Sequence, residues 1–585
     1  MMLKFPAALA LLPVLIMAAA PSPTSGTEAA AASVSSKNST TELQSNPFGI
    51  ASGAEWSGDY PRFEPLLNQA GVGWLRYFRE WQGIQPKQGE WNWKWADAFV
   101  AAARTNHLQI TAPLAYFAPW ASSGNDARTF PVKEMQFWKD YVEGVVSRYH
   151  QDIQFWEVWN EPQAFQKNGT PQYYAEMVRA AYDAAKKVDP QAKLGLTSAN
   201  FALAYLNMVL KAGATNHFDY LCVHPYENVE QLKRPGGEVF FLSMVDNVRR
   251  LLAAHRQPAN IPLWITEIGW QAPIKPDPDK DAQQAQLLVK TYLLSLAQGF
   301  EKLFWFEARG PAYGKGTDHG LIRADWTPRP AYDALKTMTV ALGPSPRYAG
   351  WLDWNGSYGF LFESQQRNVI AAWSPVGQER KLTFAEAVTV TPVTGQERRL
   401  GAGQELLLTN LPVFIAHVPD SLVQTAHANR RKPFPWGGDF TKALEVACRW
   451  GKTMTSQGLE PTKEVVTKRV GDETFACLNK GSGLNFRVNP GFAPFGTTNL
   501  EIRIVARRVV GIQQAGFQLM TESLKTIHGY DRAGWWTIPA DEEWHEHTWR
   551  LNDANFVGTW GYNLGITEVN GDFLVKEVSV LRNQD

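Results

Sequence analysis

Two glutamates carry the strongest chemical signal in this chain of 585 residues. Glu161 ends the run Phe155-Trp156-Glu157-Val158-Trp159-Asn160-Glu161, and Glu267 sits in Pro262-Leu263-Trp264-Ile265-Thr266-Glu267-Ile268-Gly269-Trp270. Each follows an apolar stretch, where a strand hands over to its loop. A carboxylate in such a place is costly to bury unless it is partnered. Two carboxylates facing one another across a single mouth can share a double displacement at a sugar carbon. One serves as acid/base and the other as nucleophile, with carboxyls about 5–5.5 Å apart. Surface carboxylates at two loop starts would be the bland account, and it needs the same context to arise twice. Glu157 shares a face with Glu161 by the two-residue period of a strand. It reads as an interior carboxylate paired with a cation, a third catalytic acid being the alternative.

The elements that must hold these glutamates follow a regular rhythm. Runs with strand character cover 47–51, 74–81, 108–116, 153–161, 193–198, 218–226, 262–270 and 302–308. Helical patterns over 93–105, 133–149, 171–187, 238–255, 282–298 and 329–342 fall between or after them. Strand then helix, eight times over, predicts a (β/α)8 TIM barrel of class α/β across 46–342. The open doubly wound sheet is disfavoured, because no Gly-rich phosphate loop follows the first strand. Barrel active sites lie at the C-terminal ends of the strands, which is where both glutamates fall. Beyond the barrel, short alternating runs predict a small β-sandwich over 343–420. A polar linker is expected at 421–436, then a C-terminal β-sandwich or jelly-roll module over 437–585.

The motif Glu157-Val158-Trp159-Asn160-Glu161-Pro162 resembles the Glu-x-Trp-Asn-Glu-Pro signature of glycoside hydrolase family 39, within clan A. The resemblance implies that Glu161 is the acid/base and Glu267 the nucleophile. It implies that Asn160 bonds the sugar 2-hydroxyl and that Tyr226, in Cys222-Val223-His224-Pro225-Tyr226, orients the nucleophile. Arg76 matches the clan's second-strand arginine, and Trp305 stands where the clan keeps an eighth-strand sugar platform. His224, Tyr116 and Trp270 are further candidates for contact with sugar, as are Trp81, Trp120 and Trp159, although core packing accounts for most strand-end aromatics. Arg76 and Tyr226 are expected to lower the pKa of Glu267, and desolvation beside an anion to raise that of Glu161. The resemblance covers roughly 47–340 and leaves the sugar open, since the family spans β-xylosidases, α-L-iduronidases and enzymes that cut exopolysaccharide internally. The expected function is a retaining glycosidase acting on a poly- or oligosaccharide. A non-catalytic carbohydrate-binding protein and a transglycosylase are the alternatives.

Composition bounds the rest. Lys+Arg 57 balances Asp+Glu 57, so no net field draws nucleic acid or an anionic membrane. With 24 Trp, 30 Phe and 18 Tyr the chain is rich in flat apolar surface of the kind sugar rings stack upon. Residues 1–20 read as a signal peptide and 21–45 as a flexible linker, which implies a secreted or periplasmic protein without stable membrane insertion. Cys222, Cys448 and Cys477 are too few for a disulfide scaffold or a multi-Cys metal site. Cys448 and Cys477 pair or stay free with equal plausibility. His545 and His547 have ligand-like spacing but lack a third partner, so neither a metal nor a cofactor is expected. Sequons stand at Asn38, Asn168 and Asn355. Trp535, Trp536, Trp549 and Trp560 leave the last module either carbohydrate-binding or structural.

Overall fold

The computed structural model describes residues 45–51, 58–124, 132–164, 170–310, 316–364 and 367–583. The expected signal peptide, the linker but for its last residue, and the sequons Asn38 and Asn168 lie outside the described residues. Eight parallel strands close a barrel: β1 Phe48–Ala51, β2 Trp74–Arg76, β3 Gln109–Leu114, β4 Phe155–Val158, β5 Lys193–Ala199, β6 Tyr220–His224, β7 Leu263–Ile268 and β8 Lys302–Phe306. β1 pairs with β8 through Gly49 and Phe304, which completes the ring. Seven strands are shorter than the sequence runs and β5 is one residue longer; at β4, β6 and β7 residues at the mouth leave the ladder to form the site. Helices lie between successive strands, and Pro330–Leu342 follows the last.

Local chemistry sets the helix starts. Thr170 accepts from Tyr173 N ahead of Pro171, and Asp277 accepts from Asp279 N and Lys280 N ahead of Pro278. Each cap satisfies amides that have no partner within the helix, and proline costs nothing at a first turn. Gly299, at φ 109°, ends the helix Pro278–Gln298 in a conformation that other residues rarely adopt. The single expected helix over 238–255 is divided into Gly237–Phe241 and Met244–Ala254.

Alternation along the strands sorts side chains between two cores. Ala51, Trp74, Tyr220, Cys222, Trp264 and Phe304 fill the barrel interior. Their neighbours Leu75, Leu221, Val223, Ile265, Leu303 and Trp305 pack outward against the helices.

After the barrel, a six-stranded antiparallel sheet runs from Arg347–Trp354 to Arg398–Leu400, and a two-stranded ladder, Arg380–Thr383 with Glu405–Leu408, accompanies it. Phe360 and Trp373 join the barrel's outer core, whereas Leu361 and Ile370 face a core of the sheet's own. The stretch expected as a linker carries a helix, Asp420–Asn429. Val423 and Ala426, three residues apart, place one of its faces in the core of that sheet. The C-terminal residues form a seven-stranded and a five-stranded antiparallel sheet around a second large core. Cys448 and Cys477 are free thiols on strands that pair with different stretches of Phe573–Arg582, at Val578 and Leu574. Among the described residues no helix is long and apolar enough to cross a membrane.

Candidate active site

The C-terminal ends of β2, β4, β6 and β7 converge on one charged cluster. Arg76, at the end of β2, points inward and is 5% exposed. Its Nε donates to Glu157, its Nη1 to Glu267 Oε1 at 2.6 Å and its Nη2 to Asn160 Oδ1 at 2.7 Å. One guanidinium fork thus serves Glu267, as expected, and is also the cation that the buried Glu157 was expected to need. Glu157 is fully buried in the interior, as its position on β4 implied. Burial pushes its carboxyl up, but the charges of Arg76 and His224 outweigh this and hold it well below the usual carboxylate range.

β7 departs from regular alternation where the nucleophile candidate is needed. Ile265 pairs with Leu303 and Ile268 with Trp305, so three steps on β7 face two on β8. The extra residue is a β-bulge, which re-aims side chains at a strand end. Thr266 and Glu267 therefore both reach the site, while Ile265 and Ile268 stay in the outer core. Thr266 Oγ1 donates to Glu157 Oε1 at 2.7 Å, and Tyr226 Oη donates to Glu267 Oε2 at 3.0 Å. Burial and the charge of Glu267 push the Tyr226 phenol far up, so it remains a neutral donor.

The end of β4 uses a different device. Trp159 and Glu161 adopt positive φ, 68° and 48°, in the region that non-glycine residues seldom occupy. Trp159 turns into the outer core, whereas Asn160 and Glu161 both turn to the mouth. Asn160 Nδ2 donates to Tyr116 Oη at 3.0 Å, so Tyr116 and Arg76 together fix the amide.

His224 sits beneath both catalytic candidates and is fully buried. Its Nδ1 lies 3.0 Å from Glu161 Oε1 and its Nε2 lies 3.1 Å from Thr266 Oγ1. The one hydroxyl hydrogen of Thr266 goes to Glu157, so its oxygen can only accept from Nε2–H. The Glu161 carboxylate accepts from Nδ1–H, which makes the ring an imidazolium. Burial alone would lower its pKa; the carboxylates of Glu267, Glu157 and Glu161 reverse that and raise it to about 9. For Glu161, burial pushes upward, but the hydrogen bond and charge of His224 and the charge of Arg76 leave its pKa below the ordinary value. The expectation of a raised pKa is corrected here, because it left His224 out. In the free site the shared proton resides on His224.

Glu161 and Glu267 are 28% and 15% exposed at the side chain, open to a ligand from the mouth. Their facing carboxylate oxygens and His224 lie within 4.8 Å of one another, a cluster that could ligate a metal ion. A metal-bound histidine needs a free ring lone pair, and His224 has none while both its nitrogens donate.

Trp305 is fully buried on the outer side of β8 and presents no face to the mouth. The expected platform is thus out of phase by one residue. Phe306 faces inward instead, with Tyr226 at 6.5 Å and His319 at 5.3 Å between ring centroids. Trp270 is half-buried, donates to Glu230 Oε2 at 2.9 Å and carries Lys233 Nζ 5.1 Å from its ring centroid. Trp81 is fully buried, and half-buried Trp120 packs edge-on against it. Sequence reading missed Thr266, Phe306 and His319. Strict alternation from Trp264 and Phe304 would have found Thr266 and Phe306; no local signal marks His319. Far from this site, His545 pairs with Asp541, and His547 packs against Trp536 and Trp549.

The family model for glycosyl hydrolase family 10 matches residues 78–203, a span that includes Glu161 and ends before Glu267. Endo-1,4-beta-xylanase 3 of Hypocrea jecorina is 26% identical over 273 residues, covering 44% of this chain and 72% of that protein. Endo-1,4-beta-xylanase A of Halalkalibacterium halodurans is 25% identical over 146 residues, 20% of this chain and 36% of that protein. Among solved structures, a family 39 glycoside hydrolase from the gut symbiont Bacteroides cellulosilyticus matches in fold with a TM-score of 0.54. It is 20% identical and spans 64% of this chain and 81% of that one.

Proposed function

We propose that this chain, a glycoside hydrolase built on a clan A (β/α)8 barrel, cuts internal linkages of a β-linked polysaccharide with retention of configuration. The observation that carries this reading is the approach of Glu161 and Glu267, whose facing oxygens lie within 4.8 Å. That is the spacing of a retaining pair; an inverting pair stands about 6.5–9.5 Å apart to admit a water.

Glu267, held by Arg76 and Tyr226, attacks the anomeric carbon as the glycosidic C–O bond breaks. The leaving oxygen takes its proton from the Glu161–His224 pair, and a glycosyl ester forms on Glu267. Water then attacks the same carbon, Glu161 accepts the water's proton, and the ester bond breaks. Asn160, its amide fixed by Arg76 and Tyr116, is placed to meet a sugar hydroxyl. The names of the curated relatives favour xylan as the first polymer to test. The N-terminal segment 1–20 supports export of the chain.

The reading is tested by incubating wild type and Glu267→Gln with soluble xylan and other β-linked polymers and resolving the products by size. Oligosaccharides from one polymer, absent with the variant, are expected. Release of monosaccharide alone would remove the internal mode of cleavage. Glu267→Gly should regain turnover with azide and yield the inverted glycosyl azide. An inverted azide from Glu161→Gly together with a retained one from Glu267→Gly would reverse the two roles.

A further inference from the structure

Helix Tyr226–Gln231 begins at the tyrosine that holds the nucleophile, and the C-terminal module covers its outer side. Asn228 Nδ2 donates to Gly558 O at 3.4 Å. Gly561, at φ 77°, packs so closely that a Cβ there would stand 2.9 Å from Gln231 Nε2 and 3.0 Å from Glu227 O. Val557 is buried in the same apolar cluster as the barrel helices. This loop is fixed from within the module. The buried carboxylate of Glu522 accepts from Gly558 N at 2.9 Å, Thr559 N at 2.5 Å and Asn563 Nδ2 at 2.6 Å.

Between these anchored glycines stands Trp560, 38% exposed. Its indole N–H donates to His528 O at 2.9 Å, so the ring is held in place while more than a third of it meets solvent. Glu227, which Gly561 touches, follows Tyr226 directly. With Cα steps of about 3.8 Å and one packing contact between the segments, Trp560 lies within about 20 Å of Glu267. A fixed, exposed indole at the rim of a polysaccharide site offers a flat apolar face to the CH surface of a sugar ring. Trp535, 42% exposed, is the other large exposed indole of this module and lies on the edge strand Tyr530–Thr537.

We infer that Trp560 is a remote sugar platform of the active-site cleft, lent by the C-terminal module, on which a polysaccharide chain stacks several units from the bond cut. The inference rests on the glycosidase reading for its ligand class, but binding alone tests it.

Soluble xylan, glucomannan and mixed-linkage β-glucan serve as probes in affinity gels. Each is run with full-length Glu267→Gln and with that variant combined with Trp560→Ala, Trp560→Phe or Trp535→Ala. For the polymer bound, Trp560→Ala should weaken retention about tenfold. Trp560→Phe should weaken it less, and Trp535→Ala should leave it unchanged. In the active protein, Trp560→Ala should raise KM for the polymer about tenfold and leave turnover of a short aryl β-glycoside unaltered. Unchanged thermal midpoints would show that all variants fold.

Three results overturn the inference: no polymer bound at all, retention unaffected by Trp560→Ala, or equal losses on polymer and aryl glycoside. The last would mean that Trp560 only props helix Tyr226–Gln231. A protein that hydrolyses nothing yet loses polymer binding with Trp560→Ala would sink the glycosidase reading and sustain the platform. Hydrolysis with binding indifferent to Trp560 would do the reverse.

Discussion

Arg76 Nη1 donates to Glu267 Oε1 at 2.6 Å while the same guanidinium donates through Nε to Glu157 in the barrel interior. Glu267, the nucleophile of the proposed mechanism, is thereby tied to a carboxylate that has no exposure of its own. Arg76→Lys keeps the charge but cannot reproduce a planar fork to three acceptors. A loss of about 100-fold or more in kcat/KM is expected, the scale of removing one oriented donor from a transition state. Arg76→Met would leave the buried Glu157 with His224 alone to offset its charge, at a cost of about 3–5 kcal/mol in denaturant unfolding. Unchanged stability in Arg76→Met would show that Glu157 is neutralised by other means.

The His224–Glu161 pair sets a pH dependence. Glu161 is held low by the imidazolium, so His224→Gln should let its pKa rise. In wild type the pair keeps its proton until His224 releases it at about 9, so with Glu161 as its sole holder the alkaline limb of kcat/KM should move to lower pH. Stability should respond as well. The folded value of His224, about 9, lies above its ordinary 6.5, so its contribution is complete below 6.5 and is lost as pH rises through 9. The advantage of wild type over His224→Gln in urea midpoint should narrow across that window. An advantage that widened with pH would mean the ring is neutral in the fold.

Lys302 closes the barrel floor, with its ammonium 4.3 Å from the Trp74 ring centroid and donating to Asn46 O at 3.1 Å. Burial pulls its pKa down from 10.5 to about 7. A base with a depressed folded value destabilises as pH falls from 10.5, and the penalty is complete below about 7. Lys302→Met should therefore stabilise the protein by about 1–3 kcal/mol near neutrality, with the gain fading towards pH 10.5. A lower melting temperature at pH 7 would show that the cation–aromatic contacts outweigh desolvation.

The sequence by itself determined a good deal. The strand–helix rhythm placed eight strands, and the two-residue period shared with Glu161 read Glu157 as an interior carboxylate. Asn160-Glu161-Pro162 and Thr266-Glu267 marked the two carboxylates that the fold brings together. All of these are local signals, read from residue type and spacing along one element. Folding decided whatever depended on contacts between distant segments. Arg76 meets Glu157 across 81 residues of chain and Glu267 across 191, so nothing local could divide it between them. The bulge that turns Glu267 inward exists only in the register of β7 against β8. Trp305 looked like the platform because strand phase was unknown; pairing of β8 with β1 sends Trp305 outward and Phe306 to the mouth. His224 reversed the expected pKa of Glu161 because protonation depends on which charges surround a buried group. Gly561 meets Glu227 across more than 300 residues, so the docking of the last module beside Tyr226 was beyond the reach of any motif. Periodicity encodes which side of an element is buried, whereas partners, protonation and register arise only when the elements close on one another.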